Sequence, residues 1–260
     1  MATFLFDKTI FGPVFSRRLG ISLGINLLPN DSKICSFDCI YCECGRNPKK
    51  RDKKTVLPSR DDVRKMLRQK LSEMREEDTT PDVITFAGNG EPTLHPEFYN
   101  IIDDTIAIRD ELCPNARIAV LSNSTMLHKK NVVEALKKVD DNILKFDSAF
   151  SETIELLDCP SGNFDIDKVI EQLKEFEGTQ IIQTMFISGE YKGVEINNTS
   201  SHELDAWMEK IAYINPKQVM IYTIARDTPL ETLNKIPFET LNRIARRVEK
   251  ELNIPVQVSG

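Results

Sequence analysis

The chain has 260 residues, of which 40% are hydrophobic and 28% charged, a composition suited to one large α/β core or two small ones. No apolar run approaches the roughly 20 residues of a membrane span, and Met1-Ala2-Thr3-Phe4-Leu5-Phe6-Asp7-Lys8 lacks a basic segment followed by a long apolar stretch. A cytoplasmic location without membrane contact is expected. A net charge of −6 argues against broad, non-specific nucleic-acid binding, while leaving room for a local basic patch.

Taken in chain order, a strand is expected over 19–28, followed by a cysteine-bearing loop. Val63, Met66, Leu67, Leu71 and Met74 recur at helical spacing behind Ser59, Asp61 and Asp62, which predicts a helix over 60–76. Val83 to Ala87 reads as a buried strand, and Phe98 to Leu112 as a helix stopped by Pro114. Further strands are expected over 117–121, 143–146, 179–187 and 218–223. Each precedes a helical period: Val132 to Val139, Ile166 to Phe176, Leu204 to Ile211, and Leu241 to Val248. Six βα units predict a parallel sheet with right-handed crossovers. Six are too few for a closed eight-fold barrel. With no Gly-, Ser- or Pro-rich linker, a single domain over 1–260 is expected.

Cys35, Cys39 and Cys42 form a CxxxCxxC loop that places three thiols within eight residues. Iron-sulfur cubanes are normally held by four cysteines, so three leave one iron open to a ligand that is not protein. Cys44 makes a fourth thiol in the same loop. A non-catalytic four-cysteine zinc module contacting nucleic acid is therefore the alternative reading. Structural zinc sites usually draw two pairs of ligands from separated segments, which favours the cluster. Cys113, before Pro114, reads as an idle thiol.

At this spacing, with Tyr41 just before the last cysteine, the loop resembles the signature of the radical S-adenosylmethionine (SAM) superfamily. The resemblance implies a partial (βα)6 barrel, which agrees with the six βα units. It also implies a 4Fe-4S cluster on Cys35, Cys39 and Cys42, SAM bound at the open iron, and an electron donor such as flavodoxin or ferredoxin. Gly88-Asn89-Gly90-Glu91-Pro92-Thr93 resembles the family's GGE segment, with Asn89 replacing a glycine. Its backbone is expected against the SAM ammonium, and Glu91 as acceptor or anchor; a tight strand-to-helix turn is the plainer reading.

Ligands of parallel α/β folds bind at the carboxyl ends of the strands. That rule adds Ser122 and Asn123, which suit a ribose or carboxylate or else cap a helix, and Asp147, an expected acceptor at the barrel mouth. It adds Arg226 too, a partner for a carboxylate or phosphate or else a surface ion pair. Cys159 falls in the loop after the fourth strand.

Nearly end to end, the chain resembles the compact Fe-S oxidoreductases related to the wyosine-tRNA synthases. The resemblance rests on Phe11 to Asn26, Gly90 to Leu94 and Ile221 to Arg226. Residues 1–34 contain no cysteine, so the second cluster of archaeal-type wyosine synthases is not expected. Six basic residues among the nine positions from Arg46 to Lys54 follow the cysteine loop. They suit the phosphates of tRNA or of a phosphorylated small molecule, or form a solvated loop.

Overall fold

In the computed structural model, which describes residues 4–16, 19–49, 56–225 and 228–260, the chain opens with two strands that pair antiparallel. They are β1 (Ile10–Ser16) and β2 (Gly20–Ile25), with Ile10 opposite Ile25 and Ser16 opposite Gly20. Next come α1 (Arg60–Glu76), β3 (Val83–Phe86), α2 (Phe98–Leu112), β4 (Arg117–Ser122), α3 (Lys130–Leu136) and β5 (Asp141–Lys145). The chain continues through α4 (Ser151–Leu157), α5 (Ile166–Lys174), β6 (Ile181–Met185), β7 (Ile187–Tyr191), β8 (Val194–Asn197) and α6 (Ser201–Ile214). β9 (Gln218–Tyr222), β10 (Leu233–Lys235), α7 (Phe238–Leu252) and β11 (Val256–Ser259) complete it.

The main sheet runs β1-β2-β3-β4-β5-β6-β9-β11, parallel from β2 onward. The expected α/β architecture, a partial parallel barrel with its helices outside, is thus present. α1 begins where its sequence signals place it, since the Ser59 side chain accepts from the Asp62 amide and Asp61 and Asp62 fill the first turn. Its buried Val63, Leu67, Leu71 and Met74 belong to the large core between sheet and helices.

Strict βα alternation does not hold. β1 adds an antiparallel edge, and its alternation is masked in sequence by Gly12-Pro13 and an irregular register between Phe11 and Val14. The expected strand 179–187 is two strands, β6 ending at Met185 and β7 beginning at Ile187. β7 joins a separate antiparallel sheet, β10-β7-β8. Val139 lies beyond α3, and α4 and β11 are additional elements. Among the described residues no helix is long and apolar enough to cross a membrane.

Inside the barrel, Val83, Ala119, Ile143, Ile181 and Met220 of five neighbouring parallel strands pack into one layer with Leu19, which precedes β2. Because strand side chains alternate, the residues two positions on from the five strand residues also point inward. These are Thr85, Leu121, Lys145, Gln183 and Tyr222. The apolar layer closes the amino-terminal end, and the more polar one above it forms the floor of a cavity.

Candidate active site

The cysteine loop is held from two sides by backbone bonds. On one side Ile34 donates to the Asn89 carbonyl (2.9 Å) and accepts from the Glu91 amide (3.0 Å), a parallel bridge to Gly90. On the other, Asp38 and Ile40 donate to the carbonyls of Asp158 (2.8 Å) and Leu157 (2.9 Å), and Ser161 donates to Ser36 (2.8 Å). Asn47 ties the loop to itself, accepting from the Cys35 amide at 3.0 Å and donating to the Phe37 carbonyl at 2.9 Å.

Cys35, Cys39, Cys42 and Cys44 line one cavity of about 200 Å³ together with Tyr41, Gly88, Gly90, Glu91, Ser122 and Asn123. Leu121, Lys145, Gln183 and Tyr222 form its floor, and Phe37 and Lys33 complete it. Residues from the loop and from the ends of β3, β4, β5, β6 and β9 therefore converge. Two residues singled out from sequence do not line this cavity. Asn89 uses its side chain to hold the backbone of Phe6 and the Pro29 carbonyl (2.7 Å). Asp147 is buried and bonds Tyr41, Lys145 (3.1 Å) and the Met185 amide (2.9 Å). Arg226 lies outside the described residues.

The buried Glu91 carboxylate accepts from Thr93, Ser122 Oγ (3.0 Å) and the Asn123 amide (2.6 Å). It braces the end of β3 against the end of β4. Ser122 and Asn123 do not cap a helix, since α3 starts at Lys130. Asn123 Nδ2 instead reaches Ser36 Oγ at 2.9 Å and the Cys35 sulfur at 3.4 Å. The glycines have a local reason. A Cβ on Gly90, whose φ is +137°, would lie 1.8 Å from the Ile34 carbonyl oxygen, so the bridge itself demands glycine.

The three thiols differ in their electrostatics. A hydrogen bond from the Cys44 thiol, opposed by burial and aided by Lys33, brings Cys42 down to about 6. Burial, with Glu91 beside it, pushes Cys35 up to about 12, and burial with Asp158 raises Cys39. Cys44 is raised by that same hydrogen bond to Cys42 and by burial. Iron binding therefore has to displace protons from Cys35 and Cys39 against their burial, whereas Cys42 gives up its proton most readily of the three.

The same thiols border a common cavity beside a buried lysine. That arrangement fits an anionic cluster spanning several sulfurs. Lys33, Asp158, Lys145, Gln183 and Tyr222 were not among the sequence-based site residues. The last three follow from counting two residues past each apolar layer residue, whereas Lys33 and Asp158 carry no periodic signal.

Residues 30–150 match the radical SAM superfamily model. A protein of Brachyspira hyodysenteriae named GTPase Obg is 31% identical over 256 residues, 96% of this chain and 35% of that protein. A UPF0026 protein of Helicobacter pylori strain J99 is 31% identical over 222 residues, 84% of this chain and 66% of that protein. Among solved structures, Streptococcus suis SuiB bound to S-adenosylmethionine superposes with a TM-score of 0.63 at 17% identity, covering 90% of this chain and 50% of SuiB. TYW1 with a lysine-pyruvate adduct bound gives 0.62 at 14%, covering 88% and 73%. At those identities the two structures share the fold. This chain thus spans 35% of the Brachyspira protein and half of SuiB. The matched segment contains the CxxxCxxC loop and both strand ends that face it, so residues 30–150 carry a radical SAM domain, of a superfamily whose members use a 4Fe-4S cluster and SAM.

Proposed function

We propose that the protein is a radical SAM enzyme in which Cys35, Cys39 and Cys42 hold the cluster and the Gly88–Gly90 backbone with Asn123 faces SAM. When bound, cluster and cofactor supply a 5′-deoxyadenosyl radical able to take hydrogen from a substrate. The observation that carries this reading is the convergence of the three thiols and the glycine segment on one cavity at the carboxyl ends of parallel strands. Tyr41 braces the loop through Asp158 and Lys145, and Glu91 fixes the strand ends.

The substrate proposed first is a tRNA nucleoside, with a phosphorylated small molecule next. The support is the basic run from Arg46 to Lys54, of which Lys50 to Lys54 lie outside the described residues. A flavodoxin or ferredoxin would deliver the electron, in the cytoplasm. Anaerobically reconstituted protein is expected to be brown, to contain iron and sulfide, and to convert SAM to 5′-deoxyadenosine and methionine under strong reductant. Colourless protein with stoichiometric zinc would overturn the proposal.

A further inference from the structure

Lys33 has a buried side chain. Its ammonium donates to the Gly45 carbonyl at 2.9 Å and lies 3.4 Å from Asp38 Oδ1. It lines the same cavity as Cys42, Cys35 and Cys39, and its charge acts on all three thiols. Asp38 is shared with the Arg46 guanidinium at 3.7 Å, so this corner holds two cations against one carboxylate. The other lysine lining the cavity, Lys145, is taken up by Asp147 at 3.1 Å.

Resting on the radical SAM reading above, we propose that Lys33 is a positioning residue whose fixed positive charge offsets the cluster's negative charge and raises its reduction potential. The electrostatic argument is short. A 4Fe-4S cluster on three thiolates carries one negative charge when oxidised and two when reduced, so a nearby cation favours the reduced form. Burial keeps water from screening the interaction. Net charge beside the sulfurs is a general lever on cluster potential, and the buried Lys33 ammonium supplies it. Its role is to make the cluster easier to reduce by the electron donor.

The test is potentiometric titration followed by electron paramagnetic resonance, on reconstituted parent, Lys33→Met and Lys33→Arg proteins without substrate. Lys33→Met is expected to keep the parent's iron and sulfide content but to titrate at a more negative potential. The reduction equilibrium should shift at least tenfold, about 59 mV for one electron. Lys33→Arg is expected to restore the parent value. If Lys33→Met loads fully and titrates with the parent, the charge has no such role and the proposal is overturned. Loading by Lys33→Arg but not by Lys33→Met supports a requirement for the charge. Failure of both to load, with the parent loading normally, makes Lys33 only a tie to Gly45 and also overturns it. Failure of the parent itself to take up iron and sulfide sinks the radical SAM reading instead.

Discussion

Asp158 Oδ1 accepts hydrogen bonds from the Tyr41 hydroxyl at 2.8 Å and from the Cys39 thiol at 3.1 Å, joining two residues of the cysteine loop to a position 119 residues further along the chain than Cys39. Its second oxygen has no hydrogen-bond partner among the described residues. Burial and the neighbouring Asp147 raise this carboxyl to about 7. Asp158→Ala leaves the buried Cys39 thiol unpaired, and the apoprotein should lose about 1–3 kcal/mol. Asp158→Asn, which preserves shape, should lose less. Urea unfolding under reductant measures both, and an alanine variant as stable as the parent would refute this account of the loop's anchoring.

The Cys44 thiol donates to the Gly88 carbonyl (3.5 Å) and lines the same cavity as Cys42, which places it beside the three-cysteine set. Replacing Cys35, Cys39 or Cys42 with alanine should abolish cluster assembly, while Cys44→Ala should retain it. Equal metal loss in all four variants would point to a four-cysteine site. Iron and sulfide assays decide.

Gly90→Val tests the fold before it tests the cofactor. Its Cβ would collide with backbone at 1.8 Å, so the Ile34 bridge must open. The apoprotein should be destabilised by about 2 kcal/mol or more. Any loss of SAM cleavage has to be judged against that measurement. A variant with the parent's urea midpoint would show that the bridge is dispensable.

His95 follows the Gly88–Glu91 segment and is neutral by construction: its Nε2 donates to the Pro58 carbonyl at 2.9 Å while Nδ1 accepts from the Glu97 amide at 3.1 Å. Burial lowers its proton affinity. The folded state therefore binds that proton more weakly than the unfolded chain does. Its contribution is complete above the ordinary histidine value of about 6.5 and is lost as pH falls through the depressed value. Comparing apoprotein stability at about pH 7.5 and about pH 5.5 should show a decline that His95→Gln reduces. An unchanged pH profile would remove His95 as its source.

The tRNA proposal has its own signature. Binding through phosphates should weaken with salt at a log-log slope of about −0.9 per neutralised phosphate on duplex. Neutralising Lys49, Lys50, Arg51, Lys53 and Lys54 together should flatten that slope by several units and leave substrate-free SAM cleavage unchanged. If the variant binds as the parent does, or neither binds, a different substrate class is indicated.

The cysteine loop and the six βα units could be read directly, because ligand spacing and apolar periodicity are local properties of the chain. Lys145, Gln183 and Tyr222 were within reach of the same periodicity, counted from Ile143, Ile181 and Met220. Lys33 and Asp158 were not, since each acts through contacts made only when distant segments fold together. Asp147 reads as facing a ligand because it follows a strand, and Glu91 as an acceptor or an anchor. Burial demands that their oxygens be satisfied, and neighbouring donors do so, which makes anchors of both. β1 escaped because Gly12-Pro13 interrupts its pattern, and β10 because three residues carry almost no signal.

The packed layer of Leu19, Val83, Ala119, Ile143, Ile181 and Met220 makes the barrel a vessel with a stoppered base. The stopper bars passage through the amino-terminal end, and the cavity opens instead where the strand ends and the cysteine loop border it. The same stopper keeps solvent from reaching the cavity floor from below.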